Sequence, residues 1–158
     1  YRRYFGMEIL DHAEGAVDLG RLNTVGVLSL GAGLDFLESH PPERVYQYEM
    51  ALCSRVYNEM KSMENVDLLA RSFRLGEKAP LVSFNLRRTG SAEVAAYLSD
   101  RGFALRGGLH CAGLAHRSLG TTEQGAVRFS PSFFNNPRQV TAFLAEVKKI
   151  QKMGLPRG

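Results

Sequence analysis

The sequence has no tryptophan, two cysteines and six prolines, and its apolar runs are only a few residues long. Each scarcity excludes something. Two thiols cannot build the framework of a small disulfide-held domain. Six prolines and 16 glycines in 158 residues leave no room for collagen or a low-complexity tract. Without a stretch of about 20 apolar residues, no membrane-spanning helix is expected. The opening Tyr1-Arg2-Arg3 is basic, but no apolar segment follows it, so no secretory signal is expected either. What is present is ordinary for a folded protein: 44% hydrophobic and 23% charged residues. This length suits one domain with a real core. The chain begins at Tyr1 rather than methionine, which points to a fragment of a longer polypeptide.

The net charge is +4, carried by 20 basic against 16 acidic residues. A basic balance alone suggests anionic partners and says little about fold. The arginines are scattered, and the tight pairs Arg2-Arg3, Arg87-Arg88 and Lys148-Lys149 have no aromatic residues interleaved as in an RNA-binding sheet. A solvated surface with a few anion-holding arginines is the better expectation, and neither nucleic acid nor membrane is expected as a partner. The two unframed cysteines suit a reducing, cytoplasmic compartment. Cys53 falls on the apolar stripe of a helix and reads as a small core residue.

Residues 23–39 carry Val27, Leu30, Leu34 and Leu37 at helical spacing, with Asn23 or Thr24 as N-cap. Pro41-Pro42 stops that helix. A second runs to about Ser62 with Val45, Tyr48, Leu52, Val56 and Met60 on one stripe. Residues 65–69 read as a short strand. Residues 80–87 alternate, with Val82, Phe84 and Leu86 on one side and Leu81, Ser83, Asn85 and Arg87 on the other. Ser91 is expected to cap a helix that Gly102 closes. Residues 103–106 and 126–130 read as strands around a glycine-rich loop, 107–113. Asn136-Pro137 opens a last helix with Val140, Phe143, Leu144, Val147 and Ile150 inward. The expectation is an α+β fold in which helices cover a mostly antiparallel sheet.

The glycine-rich loop is the most informative segment. Loops carry function more often than core elements do. Arg106 and His110 flank Cys111, and positive neighbours favour a thiolate. Chemistry alone leaves two readings open: a nucleophile, or a free cysteine with no task. His110, Cys111 and His116 could in principle ligate zinc. Adjacent residues rarely face one ion, however, and no CxxC or HExxH spacing is present, so no metal site is expected. No serine sits in a GxSxG elbow, and Gly31-Ala32-Gly33 completes no dinucleotide fingerprint. Arg128, among apolar neighbours in a strand, suits bidentate capture of a carboxylate or phosphate. Taken alone, a surface arginine stacked on Phe129 or Phe133 is the better reading.

Together these residues form a pattern. Arg106-x-Gly108-x-His110-Cys111-Ala112, Leu114-Ala115-His116, Leu119-Gly120-Thr121, Gly125-x-Val127-Arg128-Phe129-Ser130 and Phe134-Asn135 follow in order. The run resembles the cysteine desulfurase and selenocysteine lyase branch of the class V aminotransferases, which are pyridoxal-phosphate (PLP) enzymes of fold type I. Leu22-Asn23-Thr24, Leu30-Gly31-Ala32-Gly33, Phe84-Asn85, Ser91, Glu93 and Val94 extend the likeness. It covers about residues 18–150.

The resemblance implies the small C-terminal domain over residues 18–158, with residues 1–17 unassigned. It implies that Cys111 is the catalytic thiol that takes sulfur from L-cysteine, leaving alanine and a persulfide. Arg128 would clamp the substrate carboxylate, Arg106 would assist, and His110 would support the loop. A sulfur-acceptor protein and a homodimer of the full-length enzyme are implied as partners. Two positions depart from the family. The His-Lys pair whose lysine holds PLP has no counterpart, so the large PLP domain is absent from this chain and the chain alone is expected to be inactive. Gly20-Arg21 stands where the family has a Gly-Thr on the cofactor phosphate, which leaves open a stronger contact or a lost one. Two alternatives remain: a class V aminotransferase or lyase acting on another amino acid, and a non-catalytic interaction domain.

Overall fold

The computed structural model describes residues 23–153. Gly20 and Arg21, assigned above to the cofactor phosphate, lie outside the described residues, as does the unassigned segment 1–17. The chain divides into two compact units at Pro41/Pro42. The first contains helix α1 (Thr24–Ser39). Its N-cap is Asn23, whose Oδ1 accepts from the Gly26 amide at 2.9 Å and so satisfies one of the free donors of the first turn. No residue of α1 is buried, although Val25, Val27, Leu28, Leu30, Leu34 and Leu37 all lie along it.

The second unit runs α2 (Pro42–Lys61), β1 (Val66–Leu68), β2 (Val82–Leu86), α3 (Ser91–Ser99), β3 (Arg106–Gly108), α4 (Gly113–Leu119), β4 (Ala126–Phe129) and α5 (Pro137–Met153). Its four strands form one sheet in the order β1-β2-β4-β3, with every neighbouring pair antiparallel. This is the α+β architecture that the alternation of residues 80–87 and the helical stripes imply.

The two sides of β2 part as the pattern requires. Val82, Phe84 and Leu86 join Val66, Val127 and Phe129 in one cluster. Leu52, Cys53, Val56, Tyr57 and Met60 of α2 pack there, with Val94 and Leu98 of α3 and Val140, Phe143, Leu144, Val147 and Ile150 of α5. Phe143 sits at the centre. Its ring stacks on Phe129 at 4.8 Å and meets Phe84 and Phe103 edge-on. Fully burying one such side chain contributes roughly 1.5–3 kcal/mol, so this single layer holds the unit together. Cys53 is part of it, fully buried as its place on the stripe implies.

Three local details differ from the sequence expectations. Ser91 is the first residue of α3 rather than its cap; Gly90 takes the cap position with no side-chain bond, and Ser91 Oγ donates instead to the Gln124 carbonyl. The third strand lies at Arg106–Gly108, later than residues 103–106, because Phe103 closes α3. The Phe103 amide bonds to the Leu98 carbonyl at 3.0 Å while Gly102, at φ 83°, makes the left-handed cap. Helix α4 begins at the last residue of the glycine-rich loop and occupies a stretch to which the sequence reading assigns no element. Two turns beginning at glycine give little periodicity to detect.

Candidate active site

The helices α2, α3 and α5 cover one face of the sheet. The other face carries the polar side of the alternation, including Ser83, Asn85, Ala126 and Arg128. Ser83 of β2 pairs with Arg128 of β4, and Arg128 in turn pairs with Arg106 of β3. Directly opposed residues of an antiparallel pair point to the same face, so the two guanidinium groups share one side of the sheet. Among the described residues neither arginine has a hydrogen-bond or ion-pair partner. Arg87, by contrast, holds Asp67 at 2.9 Å. Two unpaired cations in register suit a bidentate anion such as a carboxylate.

Arg128 lines a cavity of about 460 Å³ whose wall also includes His110, His116, Ser83, Lys78 and the apolar side chains Leu69, Phe73, Leu81 and Leu119. Cys111 and Arg106 do not line it. Cys111 is exposed on the loop immediately beside His110. The structure thus brings Arg128 and His110 to one cavity and sets Arg106 and Cys111 at its margin. His110, Cys111 and His116 are not assembled into a metal-ligand set.

The turn carrying the thiol is unusual. The Ala112 amide bonds to the Leu109 carbonyl at 2.8 Å, and the two residues between them, His110 and Cys111, have φ of 51° and 59°. Two consecutive positive φ values are the signature of a primed turn, a conformation that ordinarily calls on asparagine and glycine. Holding two other residues there costs of order 1–3 kcal/mol each. The surroundings must therefore impose it. His110 Nε2 donates to the Ala126 carbonyl at 2.9 Å, which pins the ring to β4. Its Nδ1 is buried with no donor or acceptor beside it among the described residues.

The segment 121–126 facing this turn is held from several sides. Asn85 Nδ2 donates to the Gly125 carbonyl at 2.8 Å. Gln124 Nε2 donates to the carbonyls of Leu86 and Thr89 at 2.9 and 2.8 Å. Ser91 Oγ binds the Gln124 carbonyl, and Thr121 Oγ1 lies 2.8 Å from His116 Nδ1. Glycines permit the close approach. A Cβ on Gly107 would collide with the Ser91 carbonyl. Gly125, at φ 67°, has its missing Cβ directed at the Gly108 backbone. Gln124 and Lys78 left no recognisable trace in the sequence. Asn85 is part of the Phe84-Asn85 likeness and is the one amide on the polar side of an otherwise core strand.

The two thiols occupy opposite environments. Burial pushes the Cys53 thiol up to about 12, with the Glu49 carboxylate adding to the effect, so Cys53 is inert at neutral pH. Cys111 is exposed.

Comparison with known proteins settles the lineage. The Aminotransferase class-V family matches residues 8–143. The chain belongs to that family. It is 26% identical over 136 residues to a cysteine desulfurase of Cronobacter sakazakii, covering 86% of this chain and 32% of that protein. A probable cysteine desulfurase of Synechocystis is 27% identical over 121 residues, covering 77% of this chain and 28% of that one. The apo structure of a cysteine desulfurase from Thermococcus onnurineus NA1 superposes with a TM-score of 0.75 at 31% identity, over 86% of this chain and 33% of that one. An Escherichia coli cysteine desulfurase has the same fold, with a TM-score of 0.71 at 22% identity, over 85% of this chain and 32% of that one. The second unit is thus a small fold-type I domain, and this class V aminotransferase chain spans about a third of the length of these relatives.

Enzymes that use PLP hold it through a lysine and give its ring nitrogen an acidic partner. Among the described residues the class V cavity offers Lys78, on an exposed loop, and no carboxylate. These residues do not fit the holding set for the cofactor.

Proposed function

We propose that residues 18–158 are the C-terminal domain of a PLP-dependent cysteine desulfurase, moving the sulfur of L-cysteine to Cys111 and leaving alanine. The observation that carries this reading is the pair of unpartnered arginines in register beside an exposed thiol held in a strained turn. Arg128 binds the substrate carboxylate from the cavity wall, with Arg106 adding positive charge from the next strand. The Cys111 thiolate attacks the substrate sulfur. A sulfur–sulfur bond forms, the substrate carbon–sulfur bond breaks, and the carbon takes up a proton. The balance closes on alanine and a Cys111 persulfide, with no external oxidant. His110, fixed through Nε2 to the Ala126 carbonyl, supports the turn.

The cofactor chemistry belongs to a part of the enzyme outside this chain, since the family's lysine has no counterpart here. The chain alone is therefore inactive in this reading. The relatives are named as cysteine desulfurases, which supports cysteine as substrate and a sulfur-acceptor protein as partner. The complete enzyme is read as a cytoplasmic homodimer. Transamination or another elimination on the same fold needs no thiol, and the presentation of Cys111 argues for sulfur transfer over those reactions.

The test is Cys111→Ser in the full-length polypeptide. Alanine and sulfide production from L-cysteine should be lost while the visible absorbance of bound PLP persists. Undiminished sulfide release would refute the persulfide role. A natural polypeptide no larger than this chain, free of PLP, would leave only an interaction domain.

A further inference from the structure

Cys111 lies between two histidines that tie to opposite ends of one segment. His110 bonds through Nε2 to the carbonyl of Ala126, and His116 through Nδ1 to the hydroxyl of Thr121. The segment between those ends is immobilised by Asn85, Ser91 and Gln124. His116 is also the sole buried residue of α4, 5% exposed, while Leu114 and Leu119 of the same helix are 77% and 51% exposed. The helix has seven residues and no side-chain cap at its N-terminus. Two turns of that kind do not persist in water without tertiary packing. Its attachment through a side chain rests on one imidazole.

We propose that His116 is a positioning residue for the thiol turn. It ties α4 to Thr121, whose carbonyl accepts from the Gly125 amide at 2.7 Å just ahead of β4, and α4 begins two residues after Cys111. With His110 holding the near side of the turn and His116 the far side, the strained residues between them have no slack to relax. Release of the His116 tether frees α4 to tilt or unwind, and the turn then leaves its positive-φ conformation. His116 acts through the backbone and needs no contact with substrate. The two rings lie 6.3 Å apart, near enough for the tethers to be adjacent and too far for one to replace the other.

This assignment matters to catalysis only if Cys111 is the reacting thiol of the proposed function, but its test needs no turnover. A nitroxide methanethiosulfonate label is attached to Cys111 in the full chain; Cys53 is fully buried and stays unlabelled. Electron paramagnetic resonance spectra are compared for the unsubstituted chain, Thr121→Val and Thr121→Ser. Thr121→Val keeps the shape of the side chain and removes the hydroxyl, and the mobile fraction of the label should rise about twofold or more. Thr121→Ser restores the hydroxyl and should return the original line shape. A Thr121→Val spectrum matching that of the unsubstituted chain overturns the proposal, as does a failure of Thr121→Ser to restore it. Labelling of Cys53 in Thr121→Val also overturns it, because the core as a whole would then be opening. A shifted and restored spectrum in a protein that transfers no sulfur would count against the reaction and leave the positioning role intact.

Discussion

Arg106 and Arg128 face each other across β3 and β4, and neither has an acidic partner among the described residues. Like charges placed directly opposite in an antiparallel pair are destabilising, by an amount comparable to the ~0.2–1 kcal/mol that an opposite-charge pair contributes. In the proposed function the substrate carboxylate is the ligand that neutralises this pair.

This gives a prediction with opposite signs for stability and function. Arg106→Gln should stabilise the chain by roughly 0.2–1 kcal/mol in urea titrations. The gain should shrink as salt is raised, since both groups reach solvent. In the complete enzyme, Arg128→Ala should raise KM for L-cysteine by about 10- to 100-fold, the loss of a charge-assisted bidentate contact. Arg128→Lys should recover only part of it, since an ammonium cannot make the planar fork. A KM unchanged in Arg128→Ala would remove the carboxylate role.

The packing of the site face makes a second prediction. Gly125 lies at φ 67° with the Gly108 backbone where a Cβ would stand, 2.6 Å away. The obstructing atoms are all Gly108 backbone, and Asn85 and His110 bind the carbonyls of Gly125 and Ala126. Gly125→Ala therefore strains φ and forces β3 and β4 apart. A loss of about 2–4 kcal/mol is expected in equilibrium unfolding. A change below about 0.5 kcal/mol would mean that the close approach is not maintained in solution.

Most of the fold was legible because it follows periodicity. The stripes of α2 and α5 and the alternation of β2 each state which side is buried, and those sides meet in one core. The illegible parts have no period. Helix α4 is too short to repeat a pattern, and its one buried residue is His116, which from sequence reads as a weak metal candidate and as part of the family likeness with no role attached. Ser91 carries the composition of a cap, but its hydroxyl is drawn to the Gln124 carbonyl, and no local pattern encodes a partner 33 residues away. At the proposed site, Cys111, His110, Arg106 and Arg128 are singled out by chemistry and motif. Of the residues around them, Asn85 and Thr121 fall within the family likeness, whereas Gln124 acts through bonds to backbone 35 and 38 residues away and carries no motif of its own.

The buried thiol supplies a pH prediction. Cys53 is pushed up to about 12 in the folded chain, against 9.0 for the free group. Between those values the unfolded chain has lost the proton that the folded chain keeps. The stabilisation is complete below pH 9.0 and is lost as pH rises toward 12. Unfolding free energy should fall by up to about 1.4 kcal/mol per pH unit across that window. Cys53→Ala should flatten this part of the profile, at the expense of a small cavity in the core. A profile as steep in Cys53→Ala as in the unsubstituted chain would place the alkaline sensitivity elsewhere.

The turn that presents the thiol should be more stable without it. Cys111 holds φ 59° with its side chain exposed, so replacing it removes little buried surface. Glycine occupies positive φ at no steric cost, and its greater freedom in the unfolded chain offsets only part of that relief. Cys111→Gly should therefore raise stability by roughly 0.5–1 kcal/mol in urea titrations, while removing the atom that would accept sulfur. Cys111→Ala relieves no φ strain and should leave stability within about 0.5 kcal/mol. The contrast between these variants separates backbone strain from side-chain loss. A destabilised Cys111→Gly chain would show that the turn is not under strain and that its shape is what this sequence adopts unaided.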